Sequence, residues 1–501
     1  MTRGFSADVT LLLEGTYPFV RGGVSEWVHQ LVEGLPELRF SLVFLGAERP
    51  ASAEMRYQLP PNVERLECHY LMDGVLHSGA KERAGSVTYF SASSRLHAWF
   101  RDPVGEPDQA CLDQVLLPDW AGKESCPHDF FHSKAAWKEI SESYSRNCKD
   151  VSFEAYFWAV RNMHTPLLKL SEIARSVPAT RVYHALTTGY AGLLGAMLKR
   201  LTGRPLVLTE HGIYTKERKI ELQAMYLREY NGWQADVSEG GIEYHDELWI
   251  RLFEGIGRLV YLAANPIITL HEQNRQRQIH DGADQARTRV IPNGVDIERF
   301  KPLRAKRAAQ TPLVLGLIGR IVPIKNIKTF IRAIAVLRTR LPEVEGWLVG
   351  PEDENPGYVE ECRGLVHSLQ LEDRIRFLGF QKVENVIPQL GVLVLTSISE
   401  AFPLAIVEAH ASGLPVIATD VGACRDLIEG NGPEDRALGR AGDVVPIADH
   451  EAVARSALEL LTSPDRWSQA QQAGIARVER YFQKSRVIDS YRRIYQTAGE
   501  A

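Results

Sequence analysis

An α/β fold with two doubly wound, Rossmann-like domains is predicted by the sequence. Short apolar runs that read as buried parallel strands alternate with amphipathic helical stretches, first over 9–45 and 182–291, then again over 313–445. Such alternation calls for parallel sheets joined by right-handed crossovers. The chain has 501 residues, too many for one ordinary core. Between the two series, 301–312 is polar and basic with prolines at either end; it reads as a linker and sets domains at 1–300 and 301–483.

The first strand is the apolar run at 9–13. A glycine turn follows, and Val24, Trp27, Val28, Leu31, Val32 and Leu35 then recur as one helical stripe. Gly22 and Gly23 at that helix start let a backbone approach a phosphate or a sugar closely. A plain tight turn explains them equally well, and the G-x-G-x-x-G spacing of a dinucleotide site is missing. The next strand is at 42–45.

Residues 50–180 lose the rhythm. They hold Trp99, Trp120, Trp137 and Trp158 among Pro, Asp and Ser clusters, and read as an insertion with its own helices, chiefly over 133–170. Core packing is the expected role of these aromatics, with an acceptor groove as the alternative. Strands resume at 182–186, 205–209, 266–270 and 289–291, with a helix at 246–261. His211 stands just past the 205–209 strand, and the carboxyl ends of parallel strands are where open α/β sheets bind ligands.

The second series has strands at 313–318, 347–349, 375–378, 392–395, 416–418 and 444–445. A last helix, 484–501, carries Val487, Tyr491, Ile494 and Tyr495 on one face and is expected to pack back on the first domain.

Composition narrows the function classes. Hydrophobic content of 45% and charged content of 24% are those of a globular chain. A net charge of −5 gives no electrostatic reason to expect nucleic acid or an anionic membrane. Six cysteines without a C-x-x-C pair read as reduced thiols rather than as disulfides or a zinc site. The apolar run at 9–13 is bracketed by Asp8 and Glu14 and reads as a first strand rather than as a signal peptide. No stretch approaches the ~20 apolar residues of a membrane span. A cytoplasmic protein is expected, with any membrane contact made through partners.

Chemistry concentrates in the second half. In TSISEAFPLAIVEAHASG (396–413), Glu400 falls in the loop after a strand and Glu408 lies more than one turn into the next helix. Between them, the backbone N–H groups near 402–405 are the unsatisfied donors of a helix N-terminus, an anion cradle. Acids at a helix start also favour its dipole with no ligand at all. After the first strand of the second domain come Arg320 and Lys325, which can hold a diphosphate as a planar fork and a point charge; solvated surface charge is the plainer reading. Both groups emerge at one sheet edge, and a ligand with a phosphate middle and hydroxyl-rich ends, such as a nucleotide sugar, suits them. No Asp-x-Asp occurs in the chain, so fixed cations would take the place of a metal.

GRIVPIKN (319–326), EAFPLAIVE (400–408), IPNGVD (291–296) and GLPVIATDVGA (413–423) resemble the retaining glycosyltransferases of family GT4. The likeness runs from about residue 182 to the C-terminus and again over 15–35. With its tryptophan-rich insertion, the chain is similar to the glycosyltransferases of bacterial Pel exopolysaccharide synthesis. The resemblance implies the GT-B fold, two parallel sheets facing across a cleft, and a UDP-sugar donor with no other cofactor and no metal. It implies that Arg320 and Lys325 bind the diphosphate, Glu408 the ribose and Glu400 the hexose, while Phe402, Pro403 and Leu404 cap the phosphates. Phe380 would lie in the base-binding turn, Gly22 and Gly23 in a loop closing on the donor, and His211 beside the anomeric centre. The catalytic set is Arg320, Lys325, Glu400 and His211.

The family's GxG loop is replaced here by VGPE at 349–352, and most relatives lack the insertion. The expected reaction is transfer of a hexose or N-acetylhexosamine to a growing exopolysaccharide, with an inner-membrane synthesis complex as partner. A UDP-sugar epimerase of the same fold, and a UDP-sugar-binding subunit of a secretion complex, are the alternatives.

Overall fold

A computed structural model describes residues 6–50, 54–73, 84–103, 105–118, 130, 132–148, 151–220, 244–308 and 310–500. The chain forms two compact units: Met1–Thr269 with Arg275–Arg289 and Arg492–Ala501, and Leu270–Asn274 with Val290–Tyr491.

The first unit is built on seven parallel strands: β1 (Val9–Glu14), β2 (Phe40–Gly46), β3 (Val63–Tyr70), β4 (Val182–Ala185), β5 (Leu206–Glu210), β6 (Ile267–Thr269) and β7 (Thr288–Val290). Their order is β3-β2-β1-β4-β5-β6-β7, and Leu11 of β1 sits between Leu42 and His184 of its neighbours. β1, β2, β4 and β5 are buried almost throughout, as strands covered on both faces must be.

β3 falls in the stretch expected to be an insertion with its own helices, with no strand named there. It is the sheet's edge and half-exposed along most of its length, so its sequence needs neither an apolar run nor strict alternation. Beyond it come the helices Val87–Arg101, Gln109–Leu116, Lys134–Asn147 and Phe153–Ser176. The helices expected chiefly over 133–170 are the last two of these, each started by a serine whose hydroxyl accepts a backbone N–H, Ser133 and Ser152. Trp99 packs against the core, but Trp137 and Trp158 are 56% and 47% exposed, which corrects the core-packing expectation for those two. Trp120 lies outside the described residues.

The stretch read as a linker is helical at its start. Ile297–Arg304 forms a helix whose Asp296 cap accepts the Arg299 N–H, and Phe300 and Leu303, one turn apart, are buried beneath its basic surface.

The second unit has six parallel strands: β8 (Val314–Ile318), β9 (Glu345–Val349), β10 (Ile375–Phe377), β11 (Val392–Leu395), β12 (Val416–Thr419) and β13 (Gly442–Val445). Their order is β10-β9-β8-β11-β12-β13. Val392 and Val394 of β11 join one apolar cluster and Leu393 and Leu395 the other, the two-residue period of a strand sandwiched between helical layers. In each sheet the order reverses between the first and fourth strands in sequence, and ligands bind at such switch points. Among the described residues no helix is long and apolar enough to cross a membrane.

Candidate functional site

The second sheet's switch point lies between β8 and β11. The chain leaves β8 through Gly319 (φ 156°) and meets the end of β9, where the Gly319 N–H donates to the Val349 carbonyl at 2.8 Å. Gly350 (φ 155°) faces it so closely that a Cβ there would stand 2.0 Å from the Gly319 oxygen. Only glycine fits. The glycine of the VGPE loop is therefore set by backbone packing against 319–326.

Lys325 closes the turn Pro323–Lys325, followed by Asn326 in the left-handed region (φ 48°), a conformation asparagine tolerates better than most residues. The Thr396 hydroxyl at the end of β11 donates to the carbonyls of Lys325 and Asn326 at 2.9 and 3.0 Å, and the Ile398 N–H donates to Ile324 at 2.9 Å. These bonds join the two loops across the switch point.

Lys325 and Glu400 meet there. The Lys325 ammonium lies 2.5 Å from Glu400 Oε1, and the Ser397 hydroxyl donates to the same oxygen at 2.6 Å. Both side chains are largely buried, 21% and 13% exposed. The Glu400 backbone is held from below: a Cβ on Gly422 (φ 52°) would stand 2.0 Å from the Glu400 carbonyl, and the Ala423 N–H donates to Ala401 at 3.0 Å. Beside them, burial pushes the Cys424 thiol up to about 12, and the Glu400 carboxylate adds to the rise, so it stays a neutral thiol.

Glu400 leads into the helix Leu404–Ala411, which starts at Pro403 with no side-chain cap. Phe402 and Pro403 are buried, Leu404 and Glu408 partly so, and the Phe402 ring meets Phe482 edge-on at 5.7 Å. The helix stops where Gly413 turns left-handed (φ 70°).

Arg320 does not join this cluster. Its guanidinium is 54% exposed and lies on both oxygens of Glu354, at 2.7 and 2.6 Å. An exposed cation takes the carboxylate its neighbouring loop offers, and the loop after β9 offers Glu354. Phe380 follows Gly379 (φ 62°) beyond β10 with its ring 66% exposed. Its turn is tied to the VGPE loop by the Gly350 N–H, which donates to Gly379 at 2.9 Å.

In the first unit, His211 directly follows β5. Its ring stands edge-on to Trp27 at 4.7 Å, and its Nε2 has no hydrogen-bond partner among the described residues. Burial lowers its pKa to about 4, so the imidazole is neutral near pH 7. Gly22 precedes the helix Gly23–Glu33 in an extended conformation (φ 169°), and an added Cβ would meet nothing within 4 Å.

Ser397, Thr396 and Gly422 were not singled out from the sequence. Gly422 lies inside the GLPVIATDVGA motif, whereas the two hydroxyls gain meaning only once β8 and β11 are neighbours.

Residues 7–286, over half of the chain, match the family described as a domain of unknown function, DUF3492. The chain belongs to the DUF3492 family. In this DUF3492 protein, residues 312–463 further match the family described as glycosyl transferases group 1. Similar curated proteins include the D-inositol 3-phosphate glycosyltransferase of Streptomyces scabiei, 30% identical over 226 residues (42% of this chain, 49% of that protein). Another is that of Geodermatophilus obscurus, 33% identical over 249 residues (46% and 51%). The chain spans about half the length of the curated relatives it matches.

Among solved structures, Anabaena HepE in complex with UDP and glucose is similar over 98% of this chain and 99% of that one, with a TM-score of 0.58 at 16% identity. Sucrose-phosphate synthase from Thermosynechococcus elongatus gives a TM-score of 0.57 at 18% identity, covering 97% and 98%. These likenesses are of fold, and the fold is the GT-B type expected from the sequence.

Proposed function

We propose that this DUF3492 protein is a retaining glycosyltransferase that moves a hexose or N-acetylhexosamine from a UDP-sugar onto a growing exopolysaccharide. One observation carries the reading: Lys325 and Glu400 are locked together at the switch point of the second sheet, within the segment that matches glycosyl transferases group 1. A cation beside a carboxylate at the carboxyl ends of parallel strands suits a ligand that is anionic at one end and hydroxyl-rich at the other.

In this reading the donor's diphosphate draws Lys325 from Glu400, and the freed carboxylate, still held by Ser397, accepts hydroxyls of the donor hexose. Arg320 leaves Glu354 for the same diphosphate. An exposed ion pair contributes at most about 1 kcal/mol, so it opposes that exchange little. Departure of UDP builds a second negative charge, which Lys325, Arg320 and the backbone N–H groups of Phe402 and Leu404, on either side of Pro403, stabilise in place of a metal. Glu408 takes the ribose and the exposed Phe380 ring offers a face to the base. Neutral His211 positions the anomeric centre, and no covalent nucleophile is assigned. Gly22 and Gly23 let the backbone approach the donor. In this reading the protein works in the cytoplasm and serves an inner-membrane exopolysaccharide complex, a role that rests on the sequence resemblance to the Pel glycosyltransferases.

The test is UDP release from a panel of UDP-sugars with and without saccharide acceptors, with the product's anomeric configuration read by NMR. Acceptor-dependent release with retention is expected. Interconversion of the sugar without release of UDP would identify an epimerase instead.

A further inference from the structure

The first unit has a switch point of its own, between β1 and β4, and its chemistry is unlike that of the second. The helix Tyr190–Thr202 starts there at Gly189 without a side-chain cap from its own N-cap residue. Such a start is an anion site in many α/β proteins. Here it is already filled. Glu14, the last residue of β1, accepts the Ala191 N–H at 3.1 Å through Oε2 and the Tyr214 hydroxyl at 2.9 Å through Oε1. The space is filled as well, since a Cβ on Gly189 would stand 2.5 Å from Tyr214 Cζ and 2.7 Å from Glu14 Oε2.

The surrounding charge points the same way. The Glu217 carboxylate lies against Gly212, where an added Cβ would meet its Oε1 at 2.0 Å, one residue from His211. Of the nearby cations among the described residues, Arg218 donates to the Tyr214 hydroxyl at 3.2 Å and stacks on the Tyr214 and Phe253 rings. Lys219 pairs with Glu254 at 2.7 Å, and Lys216 is exposed. Two neutral groups on the same segment have unpartnered buried atoms among the described residues: His211 Nε2 and Thr215 Oγ1, in residues 9% and 7% exposed. A buried polar atom without a partner is costly, and a sugar hydroxyl satisfies an imidazole nitrogen or a threonine hydroxyl without bringing charge.

We infer that the first unit's switch point takes an uncharged, hydroxyl-bearing saccharide as acceptor and rejects its phosphorylated counterparts, with Glu14 setting that preference. The inference rests on the transferase reading above and adds the acceptor's chemical class. It sets this protein apart from the D-inositol 3-phosphate glycosyltransferases it matches in part. Burial raises the Glu14 carboxyl while the Ala191 amide and Tyr214 hydroxyl draw it down; charged or not, it occupies the donors a phosphate would need.

The test is calorimetric titration of the full chain, with UDP present at pH 8, by matched pairs: glucose and glucose 6-phosphate, N-acetylglucosamine and its 6-phosphate, inositol and inositol 3-phosphate. At least one neutral sugar should bind, with its phosphate at least about tenfold weaker, because Glu14 already holds the donors a phosphate would need. Glu14→Gln, which keeps the shape and an acceptor oxygen, should narrow that gap severalfold. Equal or tighter binding of the phosphates, no binding by either member of any pair, or an unchanged gap in Glu14→Gln overturns the inference. UDP titrated alone reports on the second unit, so loss of UDP binding counts against the donor reading and not against this one.

Discussion

Lys325 and Glu400 satisfy each other while no donor is bound, so removing either has a distinct consequence. Charge-assisted hydrogen bonds contribute about 1.5–3 kcal/mol, and Lys325→Ala should weaken UDP binding about 10- to 100-fold by calorimetry. Glu400→Gln should bind UDP at least as well as the native protein, because it releases Lys325, yet lose most turnover with the intact donor. UDP affinity unchanged in Lys325→Ala would remove the diphosphate role. Arg320 gives a finer test. Its pair with Glu354 is exposed, so Glu354→Gln should leave UDP affinity unchanged or raise it no more than about fivefold, and a clear loss would mean the guanidinium belongs on Glu354 with ligand bound. That Lys325 and Glu400 emerge at one sheet edge was legible because both follow strands of one parallel sheet; that they pair with each other was not. Nor was Glu354 as Arg320's partner, because it depends on how the loop after β9 folds.

Among the elements, the glycines separate what the fold needs from what a ligand needs. Gly422 is left-handed and faces a carbonyl at a distance no Cβ permits; Gly422→Ala should destabilise the second unit by several kcal/mol or shift the Glu400 loop. Gly22 has ordinary extended backbone and open space around it. Gly22→Ala should therefore leave the melting temperature within about 2 °C of native while cutting turnover at least tenfold if a donor must approach that backbone. Native turnover in Gly22→Ala would return Gly22 to the plain turn the sequence also allowed. Strand–helix alternation was readable wherever strands lie inside a sheet. It failed at β3, which has one neighbour and an exposed face, and at Ile297–Arg304, where the Asp296 cap and two buried side chains outweigh Pro302 and a basic surface.

Across the whole molecule, burial shapes the response to acid. It lowers the pKa of His97, His184 and His410 to about 3 and of His164 and His211 to about 4. His97 and His164 share a proton, 2.9 Å apart: His164 Nδ1 must donate to the Val160 carbonyl, so its Nε2 accepts from His97. For these groups the unfolded chain, with ordinary values near 6.5, binds more protons than the folded one. Their contribution is complete above about pH 6.5 and drains away as pH falls toward 3–4. His97→Gln lacks one such group, so its stability deficit against the native protein should be smaller at pH 5 than at pH 7 in urea titrations. A deficit that grows on acidification would contradict the assignment. Ligand binding gives a second global readout: UDP should slow amide exchange at 319–326 and 396–405 of the second unit far more than anywhere in β1–β7, and uniform protection would argue against a donor site there.

Both sheets run their strands in the same sequence, third-second-first-fourth-fifth-sixth, with one added at the end of the first. Each half has the same wiring and closes around its own apolar interior. The latter part matches the family described as glycosyl transferases group 1, and the earlier part matches a domain of unknown function. This makes hybrids informative: residues 290–491 grafted behind the first half of a relative should keep the nucleotide preference and inherit a foreign acceptor.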